Sequence, residues 1–336
     1  MDEIRKVARE RMKGYCRVCP VCDGRACAGE VPGMGGLGTG SAFRANLQAL
    51  AALRFNMHLV HDVSEPDTRI DFLGQSLTGP FLAAPIGGVS FNMGGKITEA
   101  AYISAVLDGC AQAGIMGCVG DGVPDFIHQD GYAAIKALNG KGIPFIKPWE
   151  DAEFFDKVDK ALAAGARVIG MDIDAAGLIT LKQMGRPVSP KSPKRLGEII
   201  SQVKVPFILK GVMSVADATM AVDAGVRAIV VSNHGGRVLD HTPGAAEVLP
   251  EIVDAVKGQV FILADGGVRT GGDILKMLAL GADAVMIGRP FSVAAVGGLK
   301  EGVFQYIQRI AGELMAAMVL TGTARADSVD PAILRG

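Results

Sequence analysis

Eight short apolar segments, rich in β-branched residues, recur between residues 81 and 287 and alternate with stretches of helical periodicity. The strand candidates are 81–85, 115–119, 144–147, 168–172, 206–210, 228–231, 260–264 and 284–287. Between them, 98–113, 154–164, 215–224, 245–256 and 272–280 place apolar residues at helical spacing. A helix between two strands carries the chain back to the same end of the sheet, so the strands must run parallel. Eight near-equal units favour closure over an open sheet, and the spacing predicts an α/β fold, a (β/α)8 TIM barrel. The chain of 336 residues has room for a barrel of roughly 250 residues and an N-terminal extension. We divide it into 1–40, an N-terminal helix and Cys/Gly-rich extension, and 41–336, the barrel, closed by a terminal helix over 303–320.

In such a barrel, chemistry gathers where strands end at the C-terminal rim. The tips read Ala84-Pro85-Ile86-Gly87-Gly88, Cys118-Val119-Gly120-Asp121, Lys147-Pro148-Trp149, Asp172, Lys210-Gly211, Ser232 to Arg237, Asp265-Gly266-Gly267 and Gly288-Arg289. The sixth is the densest. A histidine there can move a proton near neutral pH, and an arginine can grip a carboxylate in two-pronged fashion. Glycines beside them let a planar ligand approach the backbone. Lys210, at the end of a buried strand, requires an anionic partner.

Composition removes several alternatives. Lys+Arg of 34 against Asp+Glu of 35 leaves no excess of positive charge for a nucleic acid. No apolar run approaches the ~18 residues of a membrane span. The first residues (Asp2, Glu3, Arg5, Lys6, Arg9, Glu10, Arg11) are charged rather than signal-like, so the expected location is cytoplasmic. Six cysteines in so long a chain are no disulfide scaffold, and a reducing compartment would keep them as thiols or metal ligands.

Four of them, Cys16, Cys19, Cys22 and Cys27, follow a charged helix over 2–13. Close Cys-x-x-Cys spacing lets neighbouring sulfurs reach one metal or cluster, and thiolates suit zinc or an iron–sulfur cluster. Free thiols or a redox pair are the alternatives, since the spacing only partly follows a ferredoxin run. The glycine-rich stretch 32–40 lacks the preceding strand of a phosphate loop and reads as a flexible loop over the site. Ser41 is placed to cap a helix running to about residue 53. The connection 175–195 is long and holds Pro187, Pro190 and Pro193 among Lys182, Lys191 and Lys194. Such a loop suggests a mobile lid or a surface insertion.

Ser232-Asn233-His234-Gly235-Gly236-Arg237-Val238-Leu239-Asp240 resembles the signature of the FMN-dependent 2-hydroxy-acid oxidase and dehydrogenase family, which includes glycolate oxidase and lactate oxidase. That signature runs Ser-Asn-His-Gly-small-Arg-Gln and then Asp, so Val238 stands in the Gln place. Similarity extends from about 41 to 331 and is strongest over 206–290; the cysteine segment lies outside it.

The resemblance implies FMN as cofactor and a small-molecule carboxylate as substrate, a 2-hydroxy acid or related compound. The electron acceptor would be oxygen, a quinone or a redox protein, and the assembly a homotetramer or octamer. His234 would be the base, Asp172 its supporting carboxylate with Asp174 as the rival, and Arg237 the anchor for the substrate carboxylate. Lys210 would stand by the flavin edge where negative charge accumulates on reduction. Ser232 and Lys147 would contact the ring, with Ala83, Ala84 and Gly87 packed at its edge. Asp265, Gly267, Arg269, Gly288 and Arg289 would cradle ribityl and phosphate.

The substrate side departs from the family. Its N-terminal tyrosine has no counterpart in 32–40, Trp149 replaces a second tyrosine, and a second arginine is missing around 175–178. A flavin-dependent non-redox isomerase of the type 2 isopentenyl diphosphate isomerase kind is therefore an alternative, as is an electron-carrier module using the N-terminal cysteines.

Overall fold

The structure, a computed structural model, describes residues 1–335 apart from 179, 180, 182 and 183. Eight parallel strands close into a barrel: β1 (Phe81–Ile86), β2 (Gly117–Val119), β3 (Ile143–Ile146), β4 (Ile169–Asp172), β5 (Phe207–Val212), β6 (Ala228–Val231), β7 (Phe261–Ala264) and β8 (Ala284–Ile287). Each strand pairs with its neighbours in sequence, and Val285 opposite Phe81 closes the ring. The expected (β/α)8 architecture is what forms.

Alternation along each strand sorts the side chains into two layers. Leu82, Met116, Cys118, Phe145, Val168, Ile208, Val230, Leu263 and Met286 fill the lumen. Phe81, Ala83, Ile146, Met171, Leu209, Val231, Ala264 and Ile287 pack outward under the helices. The same two-residue period points Ala84, Lys147, Asp172, Lys210, Ser232, Asp265 and Gly288 inward at the C-terminal rim, whereas Ala83 turns its methyl group away, into the outer core. A hairpin of Ile70–Phe72 and Gln75–Leu77 stops the N-terminal end of the lumen, with Phe72 edge-on to Phe261 at 5.3 Å.

Two surrounding helices lie outside the sequence reading. Phe126–Ala137 carries Gly131 at its centre, which weakens the helical signal; a Cβ there would sit 3.0 Å from Val119, so the glycine admits close packing. Pro193–Gln202 starts on a proline and is capped by the Ser192 hydroxyl, converting the end of the supposed lid into a barrel helix. Lys191 donates to the Trp149 carbonyl at 2.9 Å, and Arg186 pairs with Glu153, so this side of the connection is tied down. Lys182 lies outside the described residues.

The terminal helix is longer than expected, Arg289–Thr321, and breaks at Leu299, whose φ of 48° leaves the helical region. Helix α1 (Asp2–Arg11) packs along it, with Ala8 and Met12 fully buried in the main core and Arg11 donating to the Val296 carbonyl at 2.7 Å. Gly40, at φ 69°, takes the capping position of α2 (Ser41–Ala52) in place of Ser41. The Ser41 hydroxyl turns instead to Asp240, at 2.7 Å.

Candidate active site

The turn after β6 is wound tightly: His234, Gly235 and Gly236 have φ of 56°, 63° and 76°. Three successive left-handed residues suit glycine and strain a histidine, which is held there because its amide donates to the Ser232 hydroxyl at 3.0 Å. A Cβ on Gly236 would meet the Phe43 amide nitrogen at 2.3 Å, so α2 seats directly on the turn. The buried Asn233 side chain accepts from Asn46 at 2.8 Å and donates to the Pro243 carbonyl at 3.0 Å, fixing the base of the turn. Asn46 gave one sequence signal, an amide on the face of α2 that Ala42, Phe43 and Leu50 otherwise make apolar.

The carboxylate that supports the imidazole is Asp174, not Asp172. Nδ1 of His234 lies 3.0 and 3.1 Å from the two Asp174 oxygens. Asp172 points into the lumen opposite Lys210, its partner in the strand register, and takes the ammonium at 3.1 Å. Two residues further on, the chain has left β4 for a turn of 3-10 helix, and Asp174 rises to the height of the β6 tip. A Cβ on Gly211 would meet the Asp174 side chain at 2.6 Å, so the glycine after Lys210 makes room for it.

Charge follows this geometry. Burial alone would raise the Asp174 carboxyl, but the charges of His234 and Lys210 and the His234 hydrogen bond outweigh it and hold it below the ordinary carboxylate range. Burial would likewise lower the Lys210 ammonium, yet Asp172, Asp174 and Asp265 together push it well above the usual lysine range. Burial raises Asp265, against the opposing pull of Lys210 at 3.9 Å. One cation thus stands among three carboxylates below the imidazole.

A second cluster is all cationic. Arg237, Arg269 and Arg289 have no carboxylate partner among the described residues. Burial, then the charges of Arg269 and Arg237, bring the Arg289 guanidinium down to about 9. Nε of Arg269 is buried with no acceptor among the described residues. Arg289 lies 4.0 Å over the Phe43 ring and donates to the Met34 carbonyl at 2.8 Å. Arg237 donates to the carbonyls of Gly33 and Gly35 at 2.6 and 2.9 Å and to Asn92 at 3.1 Å. The glycine-rich loop therefore does lie over the site, strung on two arginines and on Asp240, which receives the Thr39 hydroxyl at 2.8 Å.

Trp149, expected to line the substrate side, turns its indole inward. It is fully buried, donates to Asp121 and lies under the Lys157 ammonium at 4.4 Å. Asp121 also receives the Lys147 amide at 3.0 Å and so fixes the β3 tip. Cys16, Cys19, Cys22 and Cys27, expected to hold zinc or an iron–sulfur cluster, do not take the close spacing of a single-metal site. Among the described residues the trio of candidate ligands gathered within 4.8 Å is Asp172, Asp174 and His234, so no three of these sulfurs come that close.

The chain matches the FMN-dependent dehydrogenase family over residues 33–184 and 182–336. It belongs to that family. It is 30% identical over 304 residues to 2-hydroxyacid oxidase 2 of Bos taurus, covering 82% of this chain and 85% of the relative. It is 31% identical over 328 residues to 4-hydroxymandelate oxidase of Amycolatopsis orientalis, covering 86% and 88%. A crystal structure of mandelate oxidase superposes with a TM-score of 0.82 at 28% identity, over 99% of this chain and 97% of that one.

As a member of the FMN-dependent dehydrogenase family the protein is an FMN-dependent oxidoreductase, and the isomerase alternative falls away. The residues fit the cofactor. Among the described residues the guanidiniums of Arg269 and Arg289 have no carboxylate and suit a phosphate, the buried Oδ1 of Asp265 has no donor, and Gly266 and Gly267 take φ of 94° and 82° beside it. Ala84 and Gly288 leave the rim beside them low, a Cβ on Gly288 lying 3.8 Å from that of Ala84. The family match begins after the cysteine segment. No described helix is long and apolar enough to cross a membrane.

Proposed function

We propose that the protein oxidises a small 2-hydroxy acid, with His234 as base and Arg237 as anchor of the substrate carboxylate. The observation that carries this is the His234–Asp174 contact directly above the Lys210 cluster. FMN supplies the two-electron acceptor when bound. Asp174 accepts the Nδ1 proton of His234, which leaves Nε2 free to take the proton given up by the carbinol group. The imidazolium so formed is stabilised by the carboxylate already beside it. Lys210 offers fixed positive charge at the lumen, where the reduced ring would place its negative charge. Lys147 and Ser232 face the same lumen and would contact the ring, with Ala84 and Gly87 at its edge. Asp265, Gly267, Arg269, Gly288 and Arg289 would hold ribityl and phosphate.

Arg237 already serves the glycine-rich loop, so substrate binding and loop position are linked through one guanidinium. Reduction of bound FMN by a panel of 2-hydroxy acids without oxygen tests the assignment. His234→Ala should keep FMN and lose that bleaching; bleaching at an undiminished rate would overturn the base. Peroxide formation on admitting oxygen, against reduction of a quinone or redox protein, identifies the acceptor. Six free thiols suit the reducing cytoplasm. Exposed Met57, Leu59, Val60 and Leu320, clustered where His58 bonds the Leu320 carbonyl, offer apolar surface for a homotetramer or octamer.

A further inference from the structure

Cys16, Cys19, Cys22 and Cys27 take no part in the chemistry above, yet the protein spends considerable structure on them. All four are free thiols, partly buried, spaced Cys-x2-Cys-x2-Cys-x4-Cys. Their loop is braced from both sides. Arg5 donates to the Cys19 carbonyl at 2.5 Å, and Arg9 to the carbonyls of Arg17 and Val18 at 3.3 and 3.1 Å. Arg17 grips Glu30 with two bonds of 2.6 Å, and the Met34 amide donates to the Tyr15 carbonyl at 3.0 Å.

Two N–H donors in and beside this loop are aimed at sulfur. Val18 has φ of 46°, a conformation that a β-branched residue adopts only under constraint, and its amide thereby donates to Cys16 Sγ at 3.4 Å. Arg269 places Nη2 3.8 Å from Cys22 Sγ, and its own buried Nε has no acceptor among the described residues. Hydrogen bonds from amide and guanidinium groups to ligand sulfur are what tune cysteine-ligated clusters.

We propose that Cys16, Cys19, Cys22 and Cys27 ligate an iron–sulfur cluster, lodged between the N-terminal extension and Arg269. A single zinc ion is the poorer occupant. Bonds of about 2.3 Å in a tetrahedron bring thiolate sulfurs to within about 3.8 Å of one another, closer than any three of these approach. A cluster spreads its ligands over several metal atoms and does not require three sulfurs that close. Three thiols at three-residue intervals also follow the ferredoxin run, whereas structural zinc generally draws pairs from separate hairpins. The site stands independently of the hydroxy-acid reading, because its occupancy is measured by metal content and not by turnover.

The test is full-length protein purified without air, then reconstituted with ferrous iron and sulfide, with iron, zinc, acid-labile sulfide and FMN measured per chain. We expect about four iron and four sulfide per chain, the content of a [4Fe–4S] centre held by four thiolates, with an electron paramagnetic resonance signal on reduction. A Cys19→Ser/Cys22→Ser variant should lose iron and sulfide and keep its FMN. Stoichiometric zinc without sulfide, or iron and sulfide no higher than in the variant, would overturn the proposal. If the variant fails to fold, wild-type protein decides. Four rapidly titrating thiols and no labile sulfide after reconstitution overturn the cluster equally well.

Discussion

Asp174 holds both carboxylate oxygens within 3.1 Å of Nδ1 of His234, while Asp172, two residues earlier, faces Lys210 at 3.1 Å. The two aspartates therefore have separable duties. Asp174→Asn presents an amide that can no longer stabilise an imidazolium, and turnover should fall about a thousandfold with FMN content and KM little changed. Asp172→Asn should leave proton transfer intact and shift the flavin potential through Lys210. Stopped-flow reduction and potentiometry on both variants check this; equal losses of reduction rate would refute the division.

Lys210 places its ammonium within 4 Å of both Asp172 and Asp265, with 4% of its side chain exposed. Lys210→Met leaves buried negative charge uncompensated, which costs about 3–5 kcal/mol when a buried pair is broken. Denaturant unfolding should show a loss of that order, and the flavin of any folded fraction should become harder to reduce. A variant as stable as the parent would mean that water already screens the cluster.

Arg289 is pulled down to about 9 by burial and by its arginine neighbours, a cost that a phosphate would relieve. Charge-assisted hydrogen bonds contribute about 1.5–3 kcal/mol each, so Arg289→Ala or Arg269→Ala should weaken FMN by about 10- to 100-fold. Riboflavin, which lacks the phosphate, should bind parent and variant alike. Flavin fluorescence titration separates the two ligands, and equal weakening of both would show that these arginines shape the fold rather than hold an anion.

The barrel was legible because strand alternation and helical period are local properties, and the eight strand candidates fall within one or two residues of those observed. The tips were legible for the same reason, since parity along each strand sends Lys147, Lys210, Ser232 and Asp265 inward. What sequence spacing could not supply was height. Asp172 and Asp174 share a parity, and only the 3-10 turn after β4 lifts the second to the imidazole. Trp149 shows the same limit: it stands at a rim position, and its indole turns back to Asp121 and Lys157, partners 28 residues behind and eight ahead. The role of Asp240 as a staple for residues 39–41 depends on a contact across some 200 positions and left no local trace.

That staple gives the site an acid limit. Asp240 accepts from the Ser41 and Thr39 hydroxyls and from the backbone amides of Thr39 and His241; the Ser41 bond is foremost in holding its carboxyl well below the ordinary range. A carboxyl lowered in the folded state stabilises fully above its unfolded pKa of about 3.9 and loses that contribution as pH falls through the lower folded value. The loss therefore falls below about pH 4, and it frees the loop that Arg237 and Arg289 hold from the other side. Asp240→Asn should flatten the acid limb of the stability curve in that window and raise hydrogen exchange at the Thr39 and Ser41 amides at neutral pH. Exchange at those two amides unchanged by the substitution would show that the arginines alone hold the loop closed.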